Sequence, residues 1–125
     1  MPIQRKVKVV AIVDDDDLMR AALQGLLKSA GLPAQAFASA EEFLGSGHQH
    51  GVACLITDIR MPGLSGLELQ ARLNGDQCRI PTIFITAHGD ANMRMQAMRA
   101  GAMDFLAKPF DDEVLLKSVR AAMEN

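Results

Sequence analysis

The fold of this chain is decided by the stretch Val52-Ala53-Cys54-Leu55-Ile56-Thr57-Asp58-Ile59-Arg60-Met61-Pro62-Gly63. A short apolar run ends at Asp58, and a Pro-Gly turn follows almost at once. An apolar run of this length between turn residues is typical of a buried parallel strand. Open α/β sheets bind their ligands outside the carboxyl ends of the strands, so Asp58 lies where chemistry is expected.

Similar apolar runs occur on both sides of this strand, and helical patterns alternate with them. The predicted strands cover residues 7–13, 34–38, 52–57, 82–86 and 103–107. The predicted helices begin at Asp16 or Asp17, at Ser39, near Leu67, at Ala91 and at Asp111. This alternation predicts an α/β fold with a doubly wound parallel sheet of five strands and five helices.

Periodicity and capping residues define these helices more closely. Apolar residues recur at helical spacing on one face of the first and last helices. They are Leu18, Ala22, Leu23, Leu26 and Leu27 in the first, and Val114, Leu115 and Val119 in the last. Ser39 and Glu42, a hydroxyl and a carboxylate three residues apart, predict a capping box at the second helix. Turn residues in segments 45–51 and 62–66 predict loops.

Composition limits the class of protein. A chain of 125 residues with 49% hydrophobic residues suits one compact domain. Thirteen basic and fifteen acidic residues give a formal net charge of −2. There is no basic stripe, so neither direct nucleic-acid binding nor membrane attachment is expected. Cys54 and Cys78 lack metal-ligand spacing and are expected to be free thiols. No apolar run could span a bilayer or form a signal peptide, so a cytoplasmic location is expected.

Chemically capable side chains follow four of the predicted strands. They are Asp14 and Asp15 after the first, Asp58 after the third, Thr86 at the end of the fourth and Lys108 after the fifth. Each alone has a simpler interpretation, such as a helix cap, an Asx-turn, a strand former or a surface charge. Together, three close carboxylates repel one another unless a cation lies among them, and such ligands suit Mg²⁺. A lysine and a threonine could contact phosphoryl oxygens, and an aspartate could become an aspartyl phosphate.

Four motifs resemble the signature set of two-component response-regulator receiver domains. They are Val13-Asp14-Asp15, Thr57-Asp58-Ile59-Arg60-Met61-Pro62, Ile85-Thr86-Ala87 and Lys108-Pro109-Phe110. The stretches 85–90 and 97–105 look closest to the FixJ-like branch of that family. The resemblance implies a flavodoxin-like receiver fold with strand order 2-1-3-4-5. Residues 1–125 are then one receiver domain, either a stand-alone regulator or the N-terminal part of a longer regulator with a DNA-binding output domain.

The resemblance also implies a role for each matching residue. Asp58 would accept a phosphoryl group from a sensor histidine kinase. Asp14, Asp15, Asp58 and the backbone carbonyl of Arg60 would hold Mg²⁺. Thr86 and Lys108 would contact the phosphoryl group. The domain is then a signalling phosphoacceptor rather than an enzyme, capable only of self-phosphorylation and slow autodephosphorylation.

Further implied features concern the switch. The Lys108–Pro109 peptide bond would be cis, and Thr86 would act with Phe105, the switch aromatic. Arg60 and His88 would tune the lifetime of the phosphoryl group. The face formed by the fourth helix, fifth strand and fifth helix would control dimerisation or output, which is expected to be transcription. Methionines on this face could supply an adaptable partner surface; they are Met93, Met95, Met98 and Met103.

Three other functions stay open at this point. Asp14-Asp15-Asp16 could imitate the first-strand motif of an Asp-nucleophile phosphatase, although Leu18 and the isolated Asp58 fit it poorly. A flavodoxin-type binder needs a glycine- and hydroxyl-rich phosphate loop after the first strand, where this chain has an acidic block. A pseudo-receiver would act by protein binding alone, although here every chemical position is present.

Overall fold

The structure, a computed structural model, describes residues 8–87 and 89–124. Strands and helices alternate along the chain, and one short 3₁₀ helix, His48–Gly51, precedes the third strand. The strands are β1 (Val9–Val13), β2 (Ala34–Phe37), β3 (Val52–Thr57), β4 (Thr82–Thr86) and β5 (Asp104–Ala107). The helices are α1 (Asp17–Ser29), α2 (Ala40–Gly45), α3 (Gly66–Gly75), α4 (Ala91–Arg99) and α5 (Asp112–Met123). Val7, predicted to begin the first strand, lies outside the described residues.

The strands form one parallel sheet in the order β2-β1-β3-β4-β5, which confirms the predicted fold class and strand order. Val13 pairs with Thr57, the last residue of β3. Thr86 pairs with Ala107, the last residue of β5. This register places the residues that follow β1, β3 and β5 along the same edge of the sheet.

Both faces of the sheet are covered, which explains the almost continuously apolar strands. On one face, alternate residues of the strands pack with buried residues of α1 and α5, including Leu23, Leu27, Leu115 and Val119. On the other face they pack with residues of α2 and α3, including Phe43, Leu69 and Leu73. A third cluster, under α4, contains Ile59, Phe84, Ala97 and Ala102.

The predicted apolar faces of two helices are partly wrong. Leu18 is 82% exposed, Val114 is 47% exposed, and Ala22 is also exposed. The inward stripe of α1 contains Met19, Leu23, Leu26 and Leu27. Leu18 lies one residue, and therefore about 100° around the helix, from Met19. Val114 has the same relation to buried Leu115.

Capping also differs from the prediction at two helices. The Ser39 hydroxyl accepts the Glu42 N–H at 3.0 Å, as expected, but the Glu42 carboxylate accepts the N–H of Ala38 at 3.4 Å rather than that of Ser39. A complete capping box instead joins Ser65 and Glu68 at the start of α3. The loop predicted for 62–66 therefore gives way to helix at Gly66, and part of the predicted loop 45–51 is the 3₁₀ helix.

Cys54 and Cys78 are buried free thiols, as predicted. Among residues 8–87 and 89–124, no helix is both long and apolar enough to cross a membrane.

Candidate functional site

Three strand ends bring their charged side chains into contact at the carboxyl edge of the sheet. The Lys108 ammonium, after β5, donates to Asp14 Oδ2 at 3.1 Å and to Asp58 Oδ2 at 2.9 Å. The three side chains are largely buried, with exposed fractions of 14% for Lys108, 3% for Asp14 and 12% for Asp58. Lys108 therefore bridges two carboxylates that follow neighbouring strands.

Backbone contacts fix the position of Asp58. Its N–H donates to the Val13 carbonyl at 3.1 Å, which continues the pairing of β3 with β1. Its Oδ1 accepts the N–H of Ile59 at 2.6 Å, and the Ile59 side chain is buried under α4. One oxygen is thus held by the backbone and the other by Lys108, while part of the carboxylate stays accessible to solvent.

Gly66, the first residue of α3, packs directly behind Asp58. Its N–H donates to the Ile59 carbonyl at 2.8 Å. A Cβ at this position would lie only 2.1 Å from the Asp58 carbonyl oxygen, so the close approach requires glycine. The sequence predicts a loop at Gly66, but the capping pair Ser65 and Glu68 is the signal that a helix begins there.

Asp14 is held from several directions. Its N–H donates to the Phe37 carbonyl at 3.1 Å, and its Oδ1 accepts the N–H of Asp16 at 2.9 Å. Its carbonyl oxygen accepts a hydrogen bond from Arg20 Nη1 at 2.7 Å. No sequence motif indicates that Arg20 contacts the site.

The charges of the site are not balanced. Burial raises the pKa of the Asp14 carboxyl, and the hydrogen bond from Asp16 and the nearby Lys108 charge offset only part of this effect. Burial alone would lower the pKa of Lys108, but its hydrogen bonds and charge interactions with Asp58 and Asp14 outweigh burial and raise it. Lys108 therefore stays protonated, and its one ammonium is shared by the carboxylates of Asp14 and Asp58.

The donor set suits a hard divalent cation. Asp14, Asp15 and Asp58 each offer a carboxylate oxygen, and these atoms lie within 4.8 Å of one another. Asp15 is exposed, Asp14 is buried and Asp58 is intermediate, so the cluster opens toward solvent on one side. Oxygen ligands with room for water are the environment that Mg²⁺ prefers. Arg60, two residues beyond Asp58 in the same loop, is exposed, and the metal role of its carbonyl stays a prediction.

Thr86 ends β4, and Phe105 lies in the neighbouring strand β5. Thr86 is buried at the end of β4, and its carbonyl accepts the Lys108 N–H at 2.9 Å. The Lys108–Pro109 peptide bond is cis. Phe105 is half-buried, with its ring centroid 6.3 Å from that of Phe84. The threonine that ends β4 is therefore joined through the backbone to the lysine.

Gly89 lies against both Thr86 and Phe105, and no sequence motif indicates this role. A Cβ at Gly89 would lie 2.7 Å from the Thr86 methyl carbon and 2.8 Å from the Phe105 ring. The two side chains therefore border the same space. His88, predicted to tune the phosphoryl lifetime, lies outside the described residues.

The predicted methionine face divides into core and surface. Met93 and Met103 are half-buried and pack against the core clusters. Met95 and Met98 are 50% and 42% exposed. The adaptable surface that the sequence predicts is therefore reduced to two residues of α4.

Comparison with known proteins identifies one family. The sequence model of the response regulator receiver domain matches residues 10–120. The chain is 49% identical to nodulation protein W of Bradyrhizobium diazoefficiens over 116 residues, which cover 93% of this chain and 51% of that protein. It is 45% identical to the transcriptional regulatory protein FixJ of Azorhizobium caulinodans over 114 residues, 91% of this chain and 54% of that protein.

A solved structure agrees with these sequence relatives. The crystal structure of FixJ-N has a TM-score of 0.85 and 40% identity, and the match covers 98% of this chain and 97% of that one. The chain spans about half the length of the curated relatives it matches. The similarity to FixJ agrees with the branch that the sequence motifs indicated.

Proposed function

The chain belongs to the response regulator receiver domain family, and on this premise we propose that Asp58 accepts a phosphoryl group from a sensor histidine kinase in a Mg²⁺-dependent reaction. The observation that carries the proposal is the bridge from Lys108 to Asp14 and Asp58 beside the exposed Asp15. It joins a partly accessible carboxylate, a group that can neutralise phosphoryl charge, and ligands for a cation. The protein is a signalling domain of a two-component system.

The transfer is a simple exchange of bonds. An oxygen of the Asp58 carboxylate forms a bond to phosphorus, and the bond between phosphorus and the kinase imidazole nitrogen breaks. The released imidazole nitrogen recovers a proton from solvent. The divalent cation, when bound by Asp14, Asp15 and Asp58, supplies charge neutralisation for the phosphoryl oxygens.

The residues of the chain have separate tasks in this step. Ile59 holds one oxygen of Asp58 through its N–H. Lys108, which now donates to Asp58, can donate to a phosphoryl oxygen once that group arrives. The Thr86 hydroxyl can supply a second donor, and the Arg60 carbonyl a further cation ligand. Each of the four strand ends thus contributes at least one group to the proposed transfer.

We extend the proposal to the output. A phosphoryl group adds about −1.5 to −2 charge, which gives Thr86 and Lys108 a new anion to bind. Because Thr86 and Phe105 border the same space beside Gly89, movement of Thr86 changes the packing of Phe105. The α4–β5–α5 face, with Met95 and Met98 exposed, then changes its affinity for a second copy or an output domain. Arg60 and His88 set how long this state lasts.

The wider context is proposed from the relatives. Similarity to a protein named as a transcriptional regulator supports a role in transcription, with this chain as the receiver part of a longer cytoplasmic regulator. A stand-alone regulator that acts by protein binding is the alternative. An Asp-nucleophile phosphatase is less favoured, because Asp58 and Lys108 rather than the first strand alone form the site.

Intact-mass spectrometry tests the proposal. The chain is incubated with acetyl phosphate, with and without MgCl₂, beside the variants Asp58→Asn and Asp76→Asn. We expect one added phosphoryl group in wild type and in the control Asp76→Asn, at an exposed position after α3, only with Mg²⁺, and none in Asp58→Asn. An equal adduct in Asp58→Asn would overturn the proposal, and sustained turnover of an aryl phosphate would favour the phosphatase.

The output is tested separately. Beryllofluoride, a phosphoryl mimic, is expected to raise the apparent mass of wild type in light scattering toward that of a dimer. Met95→Glu should abolish this change, whereas Leu18→Glu, at an exposed site on another helix, should not. If wild type binds beryllofluoride and stays monomeric, the dimerisation proposal is wrong.

A further inference from the structure

Arg20, the fourth residue of α1, contacts the loop that carries Asp14 and Asp15. Its Nη1 donates to the Asp14 carbonyl oxygen at 2.7 Å, and its Nη2 pairs with the Asp17 carboxylate. The Arg20 side chain is only 19% exposed, although it is charged and belongs to a surface helix. The guanidinium therefore lies against the β1–α1 loop instead of extending into solvent.

The contact with the Asp14 carbonyl acts on Asp15. That carbonyl belongs to the peptide unit that joins Asp14 to Asp15. A peptide unit is planar, so a donor that holds its oxygen also fixes the direction of the next N–H and Cα. Arg20 thereby restrains the backbone from which the exposed Asp15 side chain projects.

Other contacts fix the loop on either side of this peptide. The Asp14 N–H donates to the Phe37 carbonyl, and Asp14 Oδ1 accepts the Asp16 N–H. The Asp16 carboxylate in turn caps α1 by accepting the N–H of Leu18 at 2.9 Å. Asp14 and Asp16 are therefore both anchored, and Arg20 holds the Asp14–Asp15 peptide between them. In this arrangement a carboxylate oxygen of Asp15 lies within 4.8 Å of oxygens of Asp14 and Asp58.

We propose that Arg20 is a positioning residue for the cation site. It holds the Asp14–Asp15 peptide so that the Asp15 carboxylate stays beside those of Asp14 and Asp58. The inference rests on the proposed function, because it concerns Mg²⁺ binding by the same carboxylates. Arg20 suits the task because its planar guanidinium presents N–H donors in a fixed geometry, whereas the ammonium of a lysine on its flexible stem does not fix their direction.

The direction in which Mg²⁺ affinity changes when Arg20 is removed distinguishes a positioning role from a purely electrostatic one. A guanidinium near a cation site repels the cation, so a residue that acted only through its charge would weaken Mg²⁺ binding, and its removal would strengthen it. A positioning residue has the opposite effect, because its removal frees Asp15 and adds an ordering cost to binding. A residue that only stabilises the fold changes the melting temperature and leaves the affinity for Mg²⁺ unchanged.

The test is a titration of the chain with MgCl₂, followed by backbone amide chemical shifts of the β1–α1 loop and the end of β3. Arg20→Met and Arg20→Lys are compared with wild type and with Arg120→Met, which removes the same charge at an exposed position of α5. We expect the Kd for Mg²⁺ to rise about tenfold in Arg20→Met, the lower end of the effect of losing a group that supports a metal ligand. Arg20→Lys should also bind more weakly, and Arg120→Met should match wild type.

Each outcome is decisive. If wild type shows no shifts with MgCl₂, the proposed function and this inference both fail. If wild type binds and Arg20→Met binds as tightly or more tightly, only the positioning role is overturned. A lower melting temperature with unchanged Kd marks a structural residue and also overturns it. Should Arg20→Met fail to fold, Arg20→Lys decides, because weaker binding supports positioning and equal binding overturns it.

Discussion

Lys108 donates to Asp58 at 2.9 Å across 50 residues of sequence, and the same ammonium reaches Asp14 at 3.1 Å. The carboxylates of Asp14 and Asp58 follow β1 and β3, and the ammonium of Lys108 follows β5. The parallel sheet aligns all three ends, so the fold itself creates a partly buried triad with one positive charge for two negative ones. We therefore expect a bound divalent cation to add to the stability of the domain.

Replacing Lys108 by Met should destabilise the protein when divalent cations are absent. Removal of one partner from a fully buried ion pair costs about 3–5 kcal/mol, and partial exposure reduces this here to about 2 kcal/mol. Urea denaturation measures the loss, and MgCl₂ should restore more stability to Lys108→Met than it adds to wild type. The exposed-site control Lys117→Met should stay within about 0.5 kcal/mol of wild type. An unchanged urea midpoint in Lys108→Met would contradict a stabilising role for the bridge.

The substitution Gly66→Ala should disrupt the end of β3. The added Cβ would lie 2.1 Å from the Asp58 carbonyl oxygen, which is backbone and cannot move aside cheaply. We expect a loss of about 3 kcal/mol in the free energy of unfolding, as for other overpacked sites. Gly25→Ala is the matched control: nothing lies within 4 Å of its new Cβ in α1, so it should gain about 0.5–1 kcal/mol. Equal effects at the two glycines would show that the approach of α3 to Asp58 is not tight.

Gly89→Ala should act through Phe105. Its Cβ would lie 2.8 Å from the Phe105 ring and 2.7 Å from the Thr86 methyl carbon. We expect a destabilisation of about 1–2 kcal/mol in wild type and a smaller one in a Phe105→Leu background, a coupling that a double-mutant cycle measures. Additive effects of the two substitutions would mean that Gly89 and Phe105 do not share this space.

Alkaline pH should weaken the fold through Cys54. Burial raises the pKa of its thiol from 9.0 to about 12. The unfolded chain loses this proton first, so stability present below pH 9 is lost as the pH rises toward 12, with a slope of at most about 1.4 kcal/mol per pH unit. Unfolding free energies measured at pH 8 to 10.5 should therefore fall more steeply for wild type than for Cys54→Ala. Parallel profiles would contradict the assigned pKa.

The sequence predicts the fold well because its decisive signals are local. Apolar runs such as 52–57 end at turn residues, and the alternation with helices leaves few topologies. The order of the strands came from resemblance to a family rather than from periodicity. Leu18 and Val114 were misassigned because a pattern of leucines and valines near a helix start does not distinguish residues only 100° apart around the axis.

The site was predictable only in part. Asp14, Asp58 and Lys108 each follow a strand, so their convergence follows from the topology. The roles of Gly66, Gly89 and Arg20 depend on close contacts between separate elements, which no short motif predicts. One example is the 2.7 Å distance from Arg20 Nη1 to the Asp14 carbonyl oxygen. Their positions required the packed structure.

The identity of the phosphoacceptor is tested most directly by locating the phosphoryl group in the chain. Wild type treated with acetyl phosphate and MgCl₂ is reduced with borohydride, which converts an aspartyl phosphate to homoserine, and then digested for peptide mass spectrometry. We expect conversion at Asp58 alone, and none without Mg²⁺. Conversion at Asp14 or Asp15 with Asp58 intact would contradict this expectation.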